Sequence, residues 1–526
     1  MMEQQIQALL NEITELKSQN DSLKNKLERF EQQYNSLLIA FKDFRRQRFG
    51  SRSEKFQDGD NPQLELDLFS EKKSQELCES SLKTKTNDNV ISIAAHQRQK
   101  RQATKFPAGL PRREVVIPVE DKTCGCGNEK ALIRYETTEL MNYQPAVFEI
   151  IVQKREVVTC KHGCSTGTIE MAENPKRILP KTKITADFLS HIIVSKLHDR
   201  QPLYHLEKQL NQRFGIEMPR QTLARWVIDS GQEMQPLVNL LKDTYSDYDV
   251  GSVDPTWMQV LREPGRLPTQ KSYTYCFRGG SPQKSVIIYE YNAELHKAFL
   301  LDWFDGYKGY VLADGQNIFD EINLLDGINM SYCNAHSRRK FDAIDKVTQS
   351  SDGLAKVAMR FYRKVYAFER EAKRLELSPQ ARFEYRLENT KPLFEEHYQW
   401  LLELYPTLLP KSPLAKAFYY SIKRWEGLCR FFEDGRLEID NNLTEQEIKP
   451  LALARKNFLF ACSVDGVNAL CNHMSLLRTA IQHGLEPYQY FTRVFHEIPY
   501  CSTADDYELL LPWNIQLQKV GALKAA

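Results

Sequence analysis

The sequence lacks several features that would mark a membrane or a secreted protein. Its 526 residues contain no uncharged apolar run of about 18 residues, so we expect no membrane span. The first residues, Met1 to Gln5, do not form the basic and apolar regions of a secretory signal. Eleven cysteines in so long a chain are too few for a disulfide scaffold. We therefore expect a cytoplasmic protein with reduced cysteines.

An excess of charge of one sign is also missing. Lys and Arg total 71 against 69 Asp and Glu, which gives a formal net charge of +2. Any binding of nucleic acid must therefore come from local basic patches. Hydrophobic residues make up 42% and charged residues 27%, a composition typical of a folded chain. The length predicts roughly three to five domains.

Residues 1–41 repeat with a period of seven. One apolar series extends from Ile6 to Phe41, and a second series, displaced by three, extends from Leu9 to Leu37. These are the a and d positions of a coiled coil, and Asn20 at an a position favours a parallel pair in register. We predict that this segment forms a homodimer. The alternative is an amphipathic helix docked on the protein's own core.

A basic segment at 42–56 follows the coiled coil. Its arginines, with Phe44 and Phe49 between them, are Arg45, Arg46, Arg48 and Arg52. A basic stretch continuing from a coiled-coil pair predicts contacts with DNA phosphates, and a solvated charge run is the alternative. Residues 57–113 are polar and have no sustained period, which predicts a linker.

Two close pairs of cysteines lie within residues 114–175, where short β-like runs predict a small β module. The pairs are Cys124 with Cys126 and Cys160 with Cys164. Four thiolates on turns can complete the tetrahedral shell of a structural Zn²⁺, which would replace a core in so small a module. The spacings differ from the usual two residues, and His162 could replace one thiol. Ordinary reduced cysteines are the alternative.

Residues 176–240 have a helical period. A helix over 203–214, a turn with Gly215 and a helix that starts after Pro219 are typical of a helix-turn-helix. Arg220 and Arg225 on the second helix are candidates for DNA contacts. The same pattern also occurs in ordinary helical bundles.

From residue 241 to 350 the sequence predicts the first part of an RNase H-like α/β core. Three strands near 247–260, 271–278 and 285–291 precede a helix and two short strands. In that fold the first and fourth strands are neighbours, so Asp254 on the first and Asp314 at the end of the fourth would face one pocket. Adjacent carboxylates repel each other unless a cation lies between them, and their hard oxygens suit Mg²⁺ or Mn²⁺.

A long helical insertion separates this part of the core from the rest. Residues 351–432 have charged helical faces and few turn signals, which predicts an all-helical region. Residues 433–497 would form the last part of the core, and residues 498–526 a C-terminal tail. We therefore expect a multidomain α+β protein.

A third carboxylate is expected on the helix that follows the insertion. Asn441 or Asn442 can cap a helix that holds Glu445 in its first turn. The rival carboxylates in the same segment are Glu438, Asp440 and Glu447. Two metal ions per active site, about 3.5–4 Å apart, would activate the attacking oxygen and stabilise the leaving oxygen of a phosphodiester.

Basic and aromatic residues near these carboxylates are further candidates for DNA contacts. The basic ones are His336, Arg338, Arg339, Lys340, Arg455 and Lys456. Trp425 in the insertion is a candidate for stacking on an unpaired end base. The alternatives are a helix with a basic first turn at 336–340 and, for Trp425, core packing.

Taken together, these motifs resemble the insertion sequence 66 family of bacterial DDE transposases. The resemblance extends from the basic segment to Pro487. It rests on RFGSRSEK at 48–55, the paired cysteines, the helix at 192–197 followed by PLY at 202–204, ADG at 313–315, CNAHSRRKF at 333–341, LEIDNN at 437–442 and RKNFLF at 455–460. The catalytic triad of that family would fall on Asp254, Asp314 and Glu445.

The resemblance implies a DNA transposase. Such an enzyme binds the terminal inverted repeats of its own element and the target DNA, as a dimer or larger synaptic oligomer. Metal-activated water would cut at the element end, and the freed 3′-hydroxyl would then attack target DNA. Accessory proteins of the element are expected partners. The residues alone also allow another RNase H-like nuclease, such as a resolvase, or an inactive DNA-binding derivative.

Overall fold

The computed structural model describes most of the chain beyond residue 111. The described residues are 112–144, 147–160, 169–281, 283–348 and 353–517, with ten residues between 15 and 37. Those ten residues are helical and exposed. The rest of the coiled-coil segment, the basic segment with Arg45, Arg46, Arg48 and Arg52, and the linker up to residue 111 lie outside the described residues. So do Cys164 and the side chain of Cys160.

The first sheet contains four strands. They are β1 Arg112–Ile117, β2 Lys130–Gln144, β3 Val147–Cys160 and β4 Glu170–Met171, with β3 between β1 and β2 and with β4 also paired to β3. β2 and β3 form a long antiparallel pair in which Lys130 lies opposite Cys160. β1 begins at Arg112, one residue before the predicted end of the linker at residue 113. A mixed pair of β-branched and aromatic residues, Ile150 and Phe148, is buried on one face of β3.

Four helices follow this sheet: α1 Ala186–Leu197, α2 Leu203–Phe214, α3 Arg220–Glu233 and α4 Gln235–Ser246. The punctuation predicted between α2 and α3 is confirmed. Gly215 ends α2 with φ of 64°, the left-handed conformation that favours glycine, and Pro219 directly precedes α3. Leu223 and Trp226 of α3 are buried.

The second sheet begins with three antiparallel strands. These are β5 Val250–Arg262, β6 Lys271–Gly279 and β7 Val286–Asn292, followed by helix α5 Lys297–Trp303 and strands β8 Gly309–Ala313 and β9 Ile328–Tyr332. The spatial order is β7-β6-β5-β8-β9, in which β5, β8 and β9 are parallel. The predicted pairing of the first strand with the fourth strand is therefore confirmed.

The region between this sheet and the last helices contains helices and no strand among its described residues, as predicted. It contains α6 Asn334–Thr348, α7 Leu354–Arg374, α8 Pro379–Asn389, α9 Lys391–Leu404, α10 Pro413–Lys423 and α11 Trp425–Cys429. Arg386 of α8 is fully buried and forms an ion pair with Glu369 of α7. This arginine also donates to the carbonyl oxygens of Phe431 and Leu437, so it joins the insertion to the chain that returns to the core.

The returning chain forms α12 Asn442–Phe458, β10 Ala461–Ser463, α13 Val464–Gln482, α14 Pro487–Glu497 and α15 Ala504–Glu508. The prediction of a tail from residue 498 is wrong for its described part. Leu510 and Leu511 are buried in the main core, and the hydroxyl of Tyr490 donates to the Leu510 carbonyl. The apolar pair Leu510-Leu511 explains this docking.

Helix α13 covers the outer edge of β7. The hydroxyls of Ser475 and Thr479 accept hydrogen bonds from the backbone N–H groups of Tyr289 and Ile287. Thr479 also donates to the Ile287 carbonyl, so the side chains replace a missing neighbouring strand. None of the helices in the part of the chain that the structure describes combines the length and apolar character required to cross a membrane.

Candidate active site

Asp254 and Asp314 are brought side by side by the register of two parallel strands. The last paired residues of β5 and β8 are Ser252 and Leu312. Asp254 and Asp314 each lie two residues beyond that pair, and paired strands are separated by roughly 4.8 Å. Both carboxylates therefore lie just beyond the point where the pairing of β5 with β8 ends.

Glu445 reaches the same place because the first turn of α12 is fastened to β5. The amide nitrogen of Asn441 donates to the Val253 carbonyl at 3.1 Å, and the hydroxyls of Ser252 and Thr444 lie 2.6 Å apart. Asn441 occupies the N-cap position, but its side chain does not cap the helix. Its hydrogen bond instead fixes the helix beside Asp254.

The same edge of β5 explains how Pro255 fits within a central strand. The carbonyls of Val253 and Trp257 accept from side chains of α12, so they point toward the helix and not toward β6. Because backbone groups alternate along a strand, the nitrogen of Pro255 points the same way. No ladder hydrogen bond is lost there, as is required for proline in a sheet.

The rivals of Glu445 have structural partners. Glu438 pairs with Lys373 and Arg382, at 2.8 and 3.0 Å, and this pairing lowers its pKa to about 2 against the opposing effect of burial. Asp440 accepts from the hydroxyl of Tyr366 at 2.9 Å, and Glu447 pairs with Arg478 at 2.7 Å. These contacts hold the chain on both sides of Glu445.

Electrostatic repulsion is concentrated on Asp254. Burial, followed by the charges of Asp314 and Glu445, raises the pKa of its carboxyl well above the ordinary value, and Arg339 opposes this rise. Burial also raises the pKa of Asp314, although hydrogen bonds from Gln316 oppose the effect. The three carboxylates therefore lie close enough to interact strongly, without enough positive charge to balance them.

Arg339 and His336 of α6 lie directly against Glu445. Arg339 donates two hydrogen bonds to the Glu445 carboxylate, at 3.2 and 2.8 Å. His336 Nδ1 lies 3.8 Å from the same carboxylate, and burial, followed by the charge of Arg339, lowers the pKa of the imidazole. The sulfur of Cys333 is also near, since potential ligand atoms of Cys333, His336 and Glu445 lie within 4.8 Å of one another.

The residues fit hard divalent cations. Asp254, Asp314 and Glu445 offer oxygen ligands; partial burial, followed by the charges of the other two carboxylates, raises the pKa of Asp254, and a cation would stabilise its ionised form. In the structure, the Arg339 guanidinium forms an ion pair with Glu445 and so provides part of the positive charge that a bound cation would supply. The arrangement is therefore able to hold metal ions against a phosphate group.

The other predicted DNA-contact residues near the site fall into different surroundings. Arg338 is half-buried, Lys456 is exposed, and the exposed Lys340 lies over the Tyr420 ring at 4.3 Å. Trp425 is half-buried and stacks on Tyr398, with ring centroids 4.7 Å apart and planes inclined by 14°. It also packs against the core, which favours the alternative role predicted for this tryptophan.

Arg220 and Arg225 are exposed on α3, away from its buried Leu223 and Trp226. The guanidinium of Arg220 lies 5.9 Å from the ring centre of the exposed Tyr204 on α2. The helix-turn-helix-like pair thus has a cationic and aromatic outer surface.

The first cysteine pair lies on a tight turn just before β2, where β2 begins opposite the end of β3. Cys124 is buried, Cys126 is exposed, and the turn is closed by a hydrogen bond from Gly127 N to the Cys124 carbonyl at 2.7 Å. Lys130, which follows the turn, lies opposite Cys160 across the sheet. The backbone of the second pair therefore begins beside the first pair.

The sequence pattern did not indicate that Trp257 and Arg455 form a pair. Arg455 of α12 lies over the Trp257 ring at 4.8 Å and donates to the Trp257 carbonyl. Trp257 itself is 47% exposed. The sequence feature that could have identified Trp257 is its position three residues after Asp254.

Comparison with known families gives three matches along the chain. A family model described as "Transposase IS66 family" matches residues 181–469, which include Asp254, Asp314 and Glu445. The model "Transposase C of IS166 homeodomain" matches residues 36–115, and "IS66 C-terminal element" matches residues 475–513.

Curated relatives cover most of the chain. Three uncharacterized proteins of Sinorhizobium fredii (strain NBRC 101917 / NGR234) are similar to it. Protein y4jD is 28% identical over 82% of this chain and 85% of its own length, and y4qI is 27% identical over 81% and 79%. Protein y4hP is 26% identical over 91% of this chain and 88% of its own length.

Proposed function

This chain belongs to the IS66 family of transposases, and from that premise we propose that it cuts and joins DNA with Asp254, Asp314 and Glu445 as its catalytic residues. The observation that carries the proposal is the convergence of three carboxylates from two parallel strands and one helix. The order of the five strands, three antiparallel and then two parallel, supports an RNase H-like core.

The three carboxylates would hold a pair of Mg²⁺ or Mn²⁺ ions. When bound, such ions supply activation of the attacking oxygen and stabilisation of the leaving oxygen. The chain itself positions these ligands. Strand β5 and the end of β8 fix Asp254 and Asp314, and the contacts of Asn441 with Val253 and of Thr444 with Ser252 fix the start of α12. Arg339 orients Glu445 and provides a positive charge beside the reacting phosphate.

DNA binding would use surfaces outside the carboxylate site. Arg220 and Arg225 on the exposed side of α3 are suited to DNA contacts, with the outer surface of α2 beside them. The homeodomain description of the model at residues 36–115 supports a DNA contact by the basic segment 42–56. We expect the heptads of residues 1–41 to join two copies for pairing of the element ends.

A structural Zn²⁺ held by Cys124, Cys126, Cys160 and Cys164 is also proposed. The turn that carries the first pair lies beside the strand end that leads into the second pair. Four thiolates would complete a closed tetrahedral site.

A strand-transfer assay with DNA of the element ends and Mg²⁺ tests the proposed function. We expect the full chain to cut at the ends and to join the new 3′-hydroxyl to target DNA. Cutting without joining would favour a nuclease of the same fold. End binding without cutting, both with the chain alone and with the element's accessory proteins, would favour a DNA-binding derivative.

A further inference from the structure

Trp257 differs from the other tryptophans of the chain in its exposure. All six tryptophans lie within the described ranges, and five of them are buried or half-buried. Trp257 is 47% exposed. A large aromatic side chain in solvent keeps an apolar surface that a bound ligand could cover.

The place of Trp257 in the fold is equally specific. It lies on β5 between the pairing with β8, which ends at Ser252, and the pairing with β10, which begins at Val260. Asp254 lies three positions earlier on the same strand, roughly 10 Å away, and because side chains alternate along a strand the two side chains leave opposite faces of the sheet. That distance corresponds to about three base steps of a DNA strand.

Arg455 prepares Trp257 for a flat, negatively charged ligand. Its guanidinium lies 4.8 Å from the centre of the indole and also donates to the Trp257 carbonyl, so that it holds both the ring and the backbone. The exposed Lys456 follows it in the sequence. A cation stacked on one side of an aromatic ring leaves the remaining ring surface for a further π system and attracts phosphate.

Two more apolar residues are exposed at the same edge. Leu459 and Phe460 follow α12 directly and are 63% and 37% exposed. They precede Ala461, which pairs with Val260 of β5. Leu459 has φ of 62°, a strained conformation for a leucine. An exposed apolar surface that includes stacked arginine and tryptophan suits unpaired nucleobases.

We propose that Trp257, with Arg455 stacked on it, binds an unpaired nucleobase of DNA at the open edge of β5, beyond the carboxylate site. This inference rests on the proposed function, because it names the form of DNA that the proposed DNA-cutting core accepts. A base within a duplex is already stacked on its neighbours. The ligand is therefore a nucleotide at a frayed end or in a single-stranded extension.

The test compares two DNA probes with the full-length chain. One probe is a blunt duplex, and the other is the same duplex with a short single-stranded thymidine extension. Stacking of one base predicts that Trp257→Ala weakens binding of the extended probe by about 5- to 150-fold. Binding of the blunt probe should change by less than about twofold. Trp257→Phe should retain most of the preference, because phenylalanine also stacks on bases.

Fluorescence provides a second measurement that does not depend on the alanine variant. The extended probe should quench part of the tryptophan emission of the wild-type chain, and Trp257→Phe should abolish that change. Trp513→Phe, which removes a half-buried tryptophan in the C-terminal region, is the matched control and should retain it.

Several results would overturn the inference. They are equal weakening of both probes by Trp257→Ala, no preference of the wild-type chain for the extended probe, or quenching that persists in Trp257→Phe. Loss of self-association in Trp257→Ala, with DNA binding intact, would assign the surface to a protein contact. A chain that cuts no DNA but still binds the extension through Trp257 would refute the catalytic proposal alone.

Discussion

At the scale of single residues, the carboxylate site depends on side chains whose charges are not balanced within the chain. Burial, followed by the charges of Asp314 and Glu445, raises the pKa of Asp254, and Arg339 is the cation that opposes this rise. The rivals Glu438, Asp440 and Glu447, in contrast, each have structural partners. The carboxylates proposed as catalytic therefore differ from their structural neighbours in their partners and not in their spacing.

We predict that Asp314→Asn abolishes cutting and leaves the binding of end DNA intact. The loss should exceed the roughly 10- to 100-fold effect of changing an outer partner of a metal site, because a direct ligand is removed. Asp440→Asn is the matched control, since asparagine can keep contacts with Tyr366 and the Asn442 amide. Cleavage of labelled end DNA measures both variants. Cutting by Asp314→Asn would refute the assignment.

The buried His397 predicts a dependence of stability on pH. Burial lowers the pKa of its imidazole to about 3, whereas an unfolded histidine has a pKa near 6.5. Between these values only the unfolded state binds the proton, so the free energy of unfolding falls as the pH falls, by up to about 1.4 kcal/mol per unit. His397→Phe should retain the stack on Phe361 and remove this contribution.

Urea unfolding of the wild type and His397→Phe at pH 7 and pH 5 measures the difference. The variant should gain up to about 2 kcal/mol relative to the wild type on acidification. An unchanged difference between the two proteins would show that His397 is already protonated when folded, or remains neutral when unfolded.

Residue patterns singled out the three carboxylates of the proposed site because strand and helix ends carry local signals. Asp314 precedes a glycine after a short apolar strand, and Glu445 follows two asparagines. The same patterns did not predict which tryptophan stays exposed to solvent. The stacking of Trp425 on Tyr398 and the open edge of β5 beside Trp257 arise only from tertiary packing.

At the scale of elements, helices α3 and α13 approach so closely that a glycine is required between them. A Cβ atom added at Gly231 would lie 2.5 Å from the Cβ of Ala469 and 2.7 Å from its Cα. The buried Asn472 of α13 also donates to the Gly231 carbonyl at 2.9 Å. This crossing joins the helix-turn-helix-like pair to the helix that covers β7.

We predict that Gly231→Ala destabilises the protein by about 1–3 kcal/mol, because the two helix backbones must move apart. Gly466→Ala is the matched control. Its added Cβ would meet its nearest neighbour at 3.4 Å, and alanine favours a helix, so its stability should be unchanged or higher. Thermal unfolding of both variants checks the prediction, and equal melting temperatures would contradict it.

The helices and strands were largely predictable from the sequence, whereas the contacts between them were not. Gly215 and Pro219 marked the boundary of α2 and α3 by their backbone preferences. The Asn441–Val253 hydrogen bond joins residues 188 positions apart, so no local pattern indicates that Asn441 fastens α12 instead of capping it.

At the scale of the whole molecule, the proposed zinc site should stabilise the N-terminal β module. We predict about one zinc ion per chain in purified protein, and its loss in the double variant Cys124→Ser, Cys126→Ser. Cys462→Ser, which changes an exposed cysteine on β10, should keep the metal. Elemental analysis of the three proteins decides the matter. Protein without zinc would mean that the cysteines are ordinary reduced thiols.

The C-terminal region was mispredicted for a reason that also lies at this scale. Residues 498–517 contain no long helical period, yet Leu510 and Leu511 are buried in the main core. Whether a short apolar pair docks or stays in solvent depends on the surface available to it, which the sequence does not display.

The hydrogen bonds from Arg386 to the carbonyls of Phe431 and Leu437 limit how far this protein can be shortened. The helical insertion supports the segment that leads to Glu445, because Tyr366 and Lys373 of the insertion also contact Asp440 and Glu438 of that segment. A trimmed fragment in which a few glycines bridge Thr348 and Glu438 would retain all three acidic side chains and Arg339 but lose the support that aligns them. The smallest working version of this enzyme should therefore include its helical insertion.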